Sequence, residues 1–245
     1  MQLNKHDFNS QLSKIFNANG LNKHLNSEIA DSFFALTERM LTENEKYNLT
    51  AITEPEKIIL NHYADCAKLS SYLPKGASII DVGCGAGFPT LPLAIIRNDL
   101  KILAVDSTAK RINYVSESAK ILGLTNVEAI AMRAEDGAKM AEYREKFDFA
   151  TARAVAEMRI LTELCLPYVK VGGAMIAMKG KNAEFELSGA KKAIAILGGK
   201  DTKVESITLE SENETFSHPL IIISKKAKTP PAYPRVYAQI SKKPL

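Results

Sequence analysis

Residues 78–94, SIIDVGCGAGFPTLPLA, join a short apolar run to a second apolar run through three alternating glycines. The first run predicts a buried β-strand and the second a helix, so the glycines form the turn between them. Glycine has no side chain to keep a ligand away from the backbone. The stretch therefore predicts the binding loop of an α/β protein for a nucleotide-like ligand.

Short apolar runs continue after this loop at intervals of a helical length. Five of them predict strands: 78–83, 101–106, 127–132, 147–153 and 173–180. Amphipathic stretches between them indicate a parallel sheet with helices on both faces. Two further runs, 203–210 and 219–226, leave no room for a long helix and predict a closing hairpin. We expect a Rossmann-like, seven-stranded, mostly parallel sheet with a C-terminal antiparallel hairpin.

The N-terminal part shows helical rather than strand periodicity. Apolar residues recur at helical spacing within 8–16 and again within 29–40. Thr53-Glu54-Pro55-Glu56 has the spacing of a capping box and predicts the start of a third helix. We expect a helical region over residues 1–75 packed on the core, a ligand-binding core over 76–228 and a basic, proline-containing tail over 229–245.

Composition restricts the class of protein. The chain has 245 residues, 46% of them hydrophobic and 24% charged, which is enough for one sizeable core. Cys66, Cys84 and Cys165 are far apart, which predicts neither disulfides nor a zinc site. The first residues lack the apolar core of a signal peptide, and no apolar run approaches the roughly 20 residues of a membrane span. We expect a cytoplasmic protein without a metal.

Positive charge is concentrated at the C-terminus. The formal net charge is +4, and residues 225–245 hold six cations and no acid. The six are Lys225, Lys226, Lys228, Arg235, Lys242 and Lys243. A solvated tail and a polyanion contact both remain open.

The glycine loop favours one ligand over two others. A dinucleotide fingerprint would need glycine at Phe88, and a phosphate-binding P-loop would need a lysine that is missing. The pattern is instead acid-x-Gly-x-Gly-x-Gly, formed by Asp81, Gly83, Gly85 and Gly87. It suits S-adenosylmethionine, which has no phosphates. This ligand consists of an amino acid head, a sulfonium cation, a ribose and an adenine. A backbone that the ligand can approach closely and carboxylates nearby would suit these groups.

Polar residues also follow the next three predicted strands. Asp106, 25 residues after Asp81, is placed to accept the ribose hydroxyls, and Ala134 and Glu135 are placed to contact adenine. Arg153 follows the fourth strand. Sheets of this kind bind ligands at the carboxyl ends of their strands, so together these residues indicate a methyltransferase.

These residues resemble the RsmG (GidB) family of small-subunit rRNA guanine-N7 methyltransferases. The resemblance extends from about residue 44 to residue 245 and includes YNLTAIT, HYADC, AVDS, RAEDG, ARAVA, MKGK and YPR…KKPL. It implies the class I methyltransferase fold and a target guanine, 527, in the 530 loop of 16S rRNA, either free or in the 30S particle. It also implies binding of S-adenosylmethionine by Gly83, Phe88, Ala134, Glu135 and Arg153.

Three departures from the family pattern are visible. Thr90 stands where the family commonly has glycine, and Cys66 stands where serine is usual. Within the tail, VYAQIS (236–241) replaces a linker that contains lysine and glycine. The last change puts the expected RNA contacts of the tail in doubt and leaves the cofactor loop little affected.

Methylation of guanine N7 fits the absence of a fourth-strand catalytic signature. ARAVAEM (152–158) is neither the Asn/Asp-Pro-Pro-aromatic motif of amino-group enzymes nor the Pro-Cys of cytosine-C5 enzymes. N7 carries an in-plane lone pair and loses no proton, so positioning suffices and no catalytic base is expected. The Arg153 guanidinium has only donors, which suit the methionine carboxylate, guanine O6 or a phosphate.

Several cations are candidates for contact with RNA. They are Lys110, Arg111, Lys179 and Lys181 near strand ends or first helical turns, and Arg235, Lys242 and Lys243 in the tail. His62 and Asp65, one helical turn apart, predict a local pair, and substrate contact is the alternative. No protein partner can be inferred. Two other functions remain open: methylation of a small molecule or protein, and a non-catalytic ribosome assembly factor.

Overall fold

The computed structural model describes residues 3–245, apart from the side chain of Tyr47. Its single seven-stranded sheet consists of β1 (Ser78–Val82), β2 (Lys101–Asp106), β3 (Val127–Ala131), β4 (Phe147–Arg153), β5 (Val169–Met178), β6 (Gly199–Glu210) and β7 (Thr215–Lys225). The order across the sheet is β3–β2–β1–β4–β5–β7–β6. Strands β1 to β5 are parallel, and β7 pairs antiparallel with both β5 and β6. The expected sheet with its closing hairpin is confirmed.

The N-terminal region is helical, as expected. It contains α1 (Lys5–Ala18), α2 (Ser27–Tyr47), α3 (Pro55–Ile58) and α4 (Asp65–Leu69), and a π-helical turn, Ile59–Ala64, joins the last two. The side chain of Asn4 caps α1 and that of Asn26 caps α2 by accepting backbone N–H groups of the first turn. The expected capping box at Thr53 is wrong, because Glu54 precedes α3 without a side-chain cap.

Helices cover both faces of the sheet. They are α5 (Thr90–Ile96), α6 (Ala109–Ile121), α7 (Ala134–Gly137), α8 (Met158–Cys165) and α9 (Ala183–Ile196). Side chains alternate along each strand, so Ile79 enters the core shared with the N-terminal helices, and Ile80 enters the core beneath α8 and α9. The N-terminal helices therefore bury their apolar faces in the same core as the sheet.

The last residues fold back onto this core and end in a short helix, α10 (Tyr237–Lys242). The division into residues 1–75, 76–228 and 229–245 stays a prediction. Within residues 3–245, no helix combines the length and apolar character that a membrane span requires.

Candidate functional site

Two adjoining cavities lie at the carboxyl ends of β1, β2 and β4. The first has a volume of ≈ 310 Å³ and the second ≈ 180 Å³. Gly83, Arg111 and Ala154 line both, so the cavities meet at the glycine loop. This position follows from the parallel strands, whose carboxyl ends all reach the same edge of the sheet.

Two buried carboxylates line the first cavity. Asp106 ends β2, and its Oδ2 accepts a hydrogen bond from the Gly85 N–H at 3.1 Å while its Oδ1 accepts one from the Thr108 N–H at 2.8 Å. Glu135 lies in the first turn of α7, beside Ala134. Backbone donors therefore orient Asp106, and the cavity offers acceptors for hydroxyl and amino groups.

The three glycines of the loop have different surroundings. Gly83 has φ +72°, and a Cβ there would lie 2.6 Å from Cγ2 of Val155 on the cavity wall. Gly85, with φ +55°, lines the second cavity. A Cβ on Gly87 would lie 2.7 Å from Cδ1 of Leu91, so the absence of a side chain there lets the loop pack on α5. Gly83 and Gly85 line the cavities, whereas Gly87 shapes the loop.

The structure corrects the expectation that Asp81 contacts the cofactor. Asp81 is 1% exposed and lines neither cavity. Its Oδ2 accepts from the Thr90 hydroxyl at 2.6 Å, and its Oδ1 accepts from the Thr151 hydroxyl at 3.3 Å. Burial raises the pKa of Asp81 to about 6, although these bonds and the charge of Arg153 act against the shift. Asp81 supports the loop from inside the protein.

An aromatic ring and a cation line the second cavity. The Phe88 ring stacks on the ring of His62, with centroids 4.3 Å apart and an interplanar angle of 25°. The guanidinium carbon of Arg153 lies 5.0 Å from the Phe88 centroid. Leu49 and Thr50, from the segment after α2, complete this wall. The N-terminal region thus contributes to a cavity that the sheet alone would not enclose.

Arg153 contacts the buried ring of His62. Its Nη1 donates to the Asn61 carbonyl at 3.2 Å and contacts Nδ1 of His62 at 3.1 Å. The same Nδ1 lies 3.0 Å from the Asn61 carbonyl, and Nε2 lies 3.5 Å from the Thr50 hydroxyl, so polar groups contact both ring nitrogens. Burial, followed by the charge of Arg153, lowers the pKa of His62 to about 3. His62 is therefore neutral at physiological pH.

Asp65 pairs with a distant histidine rather than with His62, so the expected local pair is wrong. Nε2 of His218 donates to Oδ1 of Asp65 at 2.6 Å, and Nη1 of Arg153 lies 3.8 Å from Oδ2. Burial lowers the pKa of His218, but the hydrogen bond and charge of Asp65 outweigh it and raise the pKa above its ordinary value. The π-helical turn before Asp65 lets His62 stack on Phe88 while Asp65 faces β7.

Three of the seven cations named as candidates for RNA contact have partners within the protein, and one of them is Arg111, whose Nη1 lies 3.4 Å from Oδ2 of Asp106. Lys179 Nζ donates to the Ala156 carbonyl at 2.8 Å and pairs with Glu186 at 2.7 Å. Arg235 Nη2 pairs with the fully buried Glu163 at 2.6 Å. This corrects the expectation that these two side chains are free for phosphate. The other four, Lys110, Lys181, Lys242 and Lys243, are exposed.

Lys225, counted in the basic tail from the sequence, is fully buried. Its Nζ donates to the carbonyls of Leu166 and Leu197, each at 2.9 Å, and burial lowers its pKa to about 8. Lys225 is the last residue of β7, and its hydrogen bonds tie the end of this strand to the segments that contain Leu166 and Leu197. The exposed positive charge of the C-terminal segment is therefore smaller than the sequence count indicates.

The sequence interpretation missed several residues of the cavity walls. They are Leu49, Thr50, Met132, Arg133, Ala154, Val155, Leu164 and Tyr237. Ala154 has φ +55°, a left-handed conformation that is uncommon for alanine. In the sequence, its position directly after Arg153 and within the ARAVA motif pointed to the site. Nothing in the sequence around Tyr237 pointed to the cavity, because the chain reaches it only by folding back.

Across the described residues 3–245, His, Cys, Asp and Glu side chains form no group of three able to hold a metal ion. The three cysteines are free and buried, and burial raises the pKa of each thiol. A thiol held protonated in this way is a poor nucleophile.

Comparisons with solved structures agree with the fold. A SAM-dependent O-methyltransferase from Thermotoga maritima matches with a TM-score of 0.53 at 15% identity, covering 78% of this chain and 72% of that one. Precorrin-6y C5,15-methyltransferase from Geobacter metallireducens matches with a TM-score of 0.51 at 15% identity, covering 74% and 91%. At such identities the likeness concerns the fold, which is that of class I methyltransferases.

Sequence relatives are much closer. Ribosomal RNA small subunit methyltransferase G of Clostridium perfringens (strain 13 / Type A) is 49% identical over 216 residues, which cover 86% of this chain and 89% of the relative. The protein of the same name from Clostridium novyi (strain NT) is 44% identical over 230 residues, covering 93% and 94%. The model of the family described as GidB, rRNA small subunit methyltransferase G, matches residues 29–215. This chain therefore belongs to the GidB family.

Proposed function

We propose that this protein transfers the methyl group of S-adenosylmethionine to N7 of a guanine in the 530 loop of 16S rRNA. The observation that carries the proposal is the pair of adjoining cavities. One is lined by Asp106 and Glu135, and the other by Phe88 and Arg153. The relatives are named as small-subunit ribosomal RNA methyltransferases, which supports rRNA of the small subunit as the substrate.

The residues of the first cavity fit S-adenosylmethionine. Asp106 is buried, and backbone N–H groups hold it with its carboxylate at the cavity wall, where it would accept the ribose hydroxyls. Glu135 and the backbone at Ala134 would contact the adenine. Gly83 and Gly85 leave the loop backbone open to the ligand. When bound, S-adenosylmethionine supplies an electrophilic methyl group on a sulfonium centre.

The second cavity fits a planar base with acceptors on one edge. Within the described part of the chain, the hydrogen bonds of Arg153 all involve Nη1, so Nε and Nη2 remain for guanine O6 or for a phosphate. The Phe88 ring, held by His62, forms an apolar wall for the base. Phe88 is 5% exposed. A guanine must therefore leave its stack, or lie in a single-stranded loop, to reach this cavity.

The chemistry of N7 matches these residues. Methylation at N7 removes no proton, so the reaction requires alignment rather than a base. Burial keeps His62 neutral, but its ring stacks on Phe88 and does not line the second cavity. Cys84 is held as a thiol by burial. Holding the two reactants in line lowers such barriers by about 7–11 kcal/mol, which we assign to the cavity walls.

Methyl transfer to ribosomal RNA tests the proposal. Naked 16S rRNA and 30S particles from cells lacking the endogenous enzyme would be incubated with tritiated S-adenosylmethionine. Borohydride and aniline treatment would then cleave the RNA at N7-methylguanine. We expect label in rRNA and one new cleavage in the 530 loop. Asp106→Ala should lose this label, whereas Asp201→Asn, at an exposed position, should keep it.

The other outcomes identify the competing functions. Label in rRNA without cleavage would place the methyl group on another atom. Cofactor binding without transfer to any RNA would indicate a non-catalytic assembly factor. Label confined to a metabolite or protein fraction would indicate a different substrate class. Each of these three results would overturn the proposal as stated.

A further inference from the structure

The chain after β7 is fastened to the core at several points. The Arg144 guanidinium donates to the carbonyls of Thr229 and Tyr233, each at 2.8 Å, and to that of Pro230 at 3.2 Å. The Thr229 N–H donates to Glu145 Oε1 at 2.7 Å. These bonds bring residues 229–233 against the segment that follows α7. The C-terminal segment is therefore part of the folded core.

Arg235 continues this attachment in the interior. Its backbone N–H and its Nε both donate to Oε1 of Glu163 at 2.9 Å, and its Nη2 donates to Oε2 at 2.6 Å. Glu163 lies on α8 and has no exposed surface. A buried carboxylate needs a cation with good geometry, and this bidentate pair supplies one. The pair places the start of α10 beside α8.

Tyr237, the first residue of α10, reaches the first cavity. It lines this cavity together with Asp106, Glu135 and Leu164. Its side chain is half-exposed at 41%, and the buried Ile240 anchors the same helix. The ring thus lies at the rim of the cavity whose carboxylates suit ribose and adenine, whereas Arg153 lines the other cavity.

We propose that Tyr237 contacts the adenosine part of S-adenosylmethionine and that the Arg235–Glu163 pair holds it in position. This inference rests on the proposed function, because it assigns a residue to the same cofactor cavity. Aromatic rings contact planar ligands favourably. The C-terminal segment then contributes to cofactor binding, separately from any contact with RNA.

Calorimetric titration with S-adenosylhomocysteine tests the contact, since this demethylated cofactor product has no methyl group to transfer and binds without turnover. We expect Tyr237→Ala to raise the Kd about three- to tenfold, and Tyr237→Phe, which keeps the ring, to bind like the parent. Val236→Ala is the matched control, because Val236 is similarly exposed, at 49%, but does not line the cavity. An unchanged Kd for Tyr237→Ala, with the parent binding, would overturn this inference alone.

Fluorescence provides a second test that does not depend on loss of binding. The chain contains no tryptophan, so Tyr237→Trp introduces a single reporter. We expect a saturable change of its emission on titration with S-adenosylhomocysteine, at the Kd measured by calorimetry. Phe185→Trp, at a position that is 84% exposed and outside both cavities, should show no change. Constant emission from Tyr237→Trp, despite calorimetric binding, would overturn the inference. A parent protein without any binding would overturn the proposed function as well.

Discussion

Nε2 of His218 lies 2.6 Å from Oδ1 of Asp65, although 153 positions of the chain separate the two residues. The same carboxylate lies 3.8 Å from Nη1 of Arg153. Asp65 is 2% exposed, so its charge depends on these two partners rather than on water. The pair joins the N-terminal helices to β7 and holds Arg153 beside Phe88, at the wall of the second cavity.

Asp65→Asn should destabilise the protein and impair methyl transfer. The amide would leave Arg153 and His218 without a buried counter-charge, at a cost of about 3–5 kcal/mol in the free energy of unfolding. We expect kcat to fall while the Kd for S-adenosylhomocysteine changes little, because Asp65 supports only the second cavity. Urea unfolding, calorimetry and single-turnover methylation would measure these effects.

Asp31→Asn is the control for this variant. Asp31 pairs with Lys5 on the surface, where both side chains are about half-exposed. Its loss should change the free energy of unfolding by about 0–1 kcal/mol. Equal destabilisation by the two substitutions would contradict the role given to the buried pair.

Asp81 should lower the free energy of unfolding as the pH rises, which is the opposite of the usual effect of a buried, paired carboxylate. Its folded pKa of about 6 lies above the ordinary value of 3.8, so the folded state binds the proton more tightly than the unfolded chain does. The stabilisation of the folded state by protonated Asp81 is therefore fully present below the pKa of the unfolded chain. It is lost as the pH rises through the folded pKa of about 6. The loss amounts to about 3 kcal/mol.

Asp81→Asn removes this titration and tests the assignment. The free energy of unfolding of the parent, measured relative to the variant by urea unfolding, should fall by about 2–3 kcal/mol between about pH 4 and pH 8. The comparison cancels the other titrating groups, which the two proteins share. A difference that stays constant over this range would show that Asp81 does not titrate as described.

Gly83→Ala should weaken cofactor binding, whereas Gly76→Ala should not. Both glycines have φ +72°, so alanine at either position costs about 1–2 kcal/mol of backbone strain. A Cβ at Gly83 would also lie 2.6 Å from Val155, which must then move within the cavity wall, whereas a Cβ at Gly76 would meet nothing within 4 Å. We expect about a tenfold rise in Kd, some 1.4 kcal/mol, for Gly83→Ala alone. Equal affinities for S-adenosylhomocysteine would contradict this prediction.

Neutralising the exposed cations should reduce the salt dependence of RNA binding. Replacing Lys181, Lys242 and Lys243 together by alanine removes three charges that are exposed to solvent. If all three contact phosphates of a single-stranded loop, the slope of log affinity against log salt should become shallower by about two units. Filter binding of 16S rRNA at several salt concentrations would measure it.

A second triple variant provides the matched control. Lys5, Lys14 and Lys23 are exposed lysines of the N-terminal region, and replacing them removes the same net charge. Their loss should leave the slope nearly unchanged, because a phosphate contact depends on position and not on net charge alone. Identical slopes for the two triple variants would refute an RNA contact at Lys181, Lys242 and Lys243.

The sheet and the glycine loop were predictable from the sequence because their determinants are local. Apolar runs of strand length, separated by helical lengths, specify a parallel sheet, and parallel topology brings the ends of its strands to one edge. For this reason Gly83, Asp106 and Glu135 could be placed in one site before any contact was known. The hairpin followed from the short connection between its strands.

The partners of the charged groups were not predictable in this way. Spacing favoured His62 as the partner of Asp65, but the tertiary fold provides His218 instead. Arg235 was counted as a free cation, yet Glu163, 72 positions away, pairs with it. A buried charge must be neutralised by whichever group the fold brings within hydrogen-bond distance, and chain spacing does not report that distance.

By itself, then, the sequence determined the order of strands and helices, the glycine loop and the family, because each of these depends on residues close together in the chain. Only the tertiary structure decided that Asp81 is enclosed by Thr90 and Thr151 and that Tyr237 returns to the cofactor cavity. The physical reason is that burial and cavity walls arise from the packing of distant segments. That packing depends on contacts among side chains from the whole core, so no short stretch of the sequence shows it.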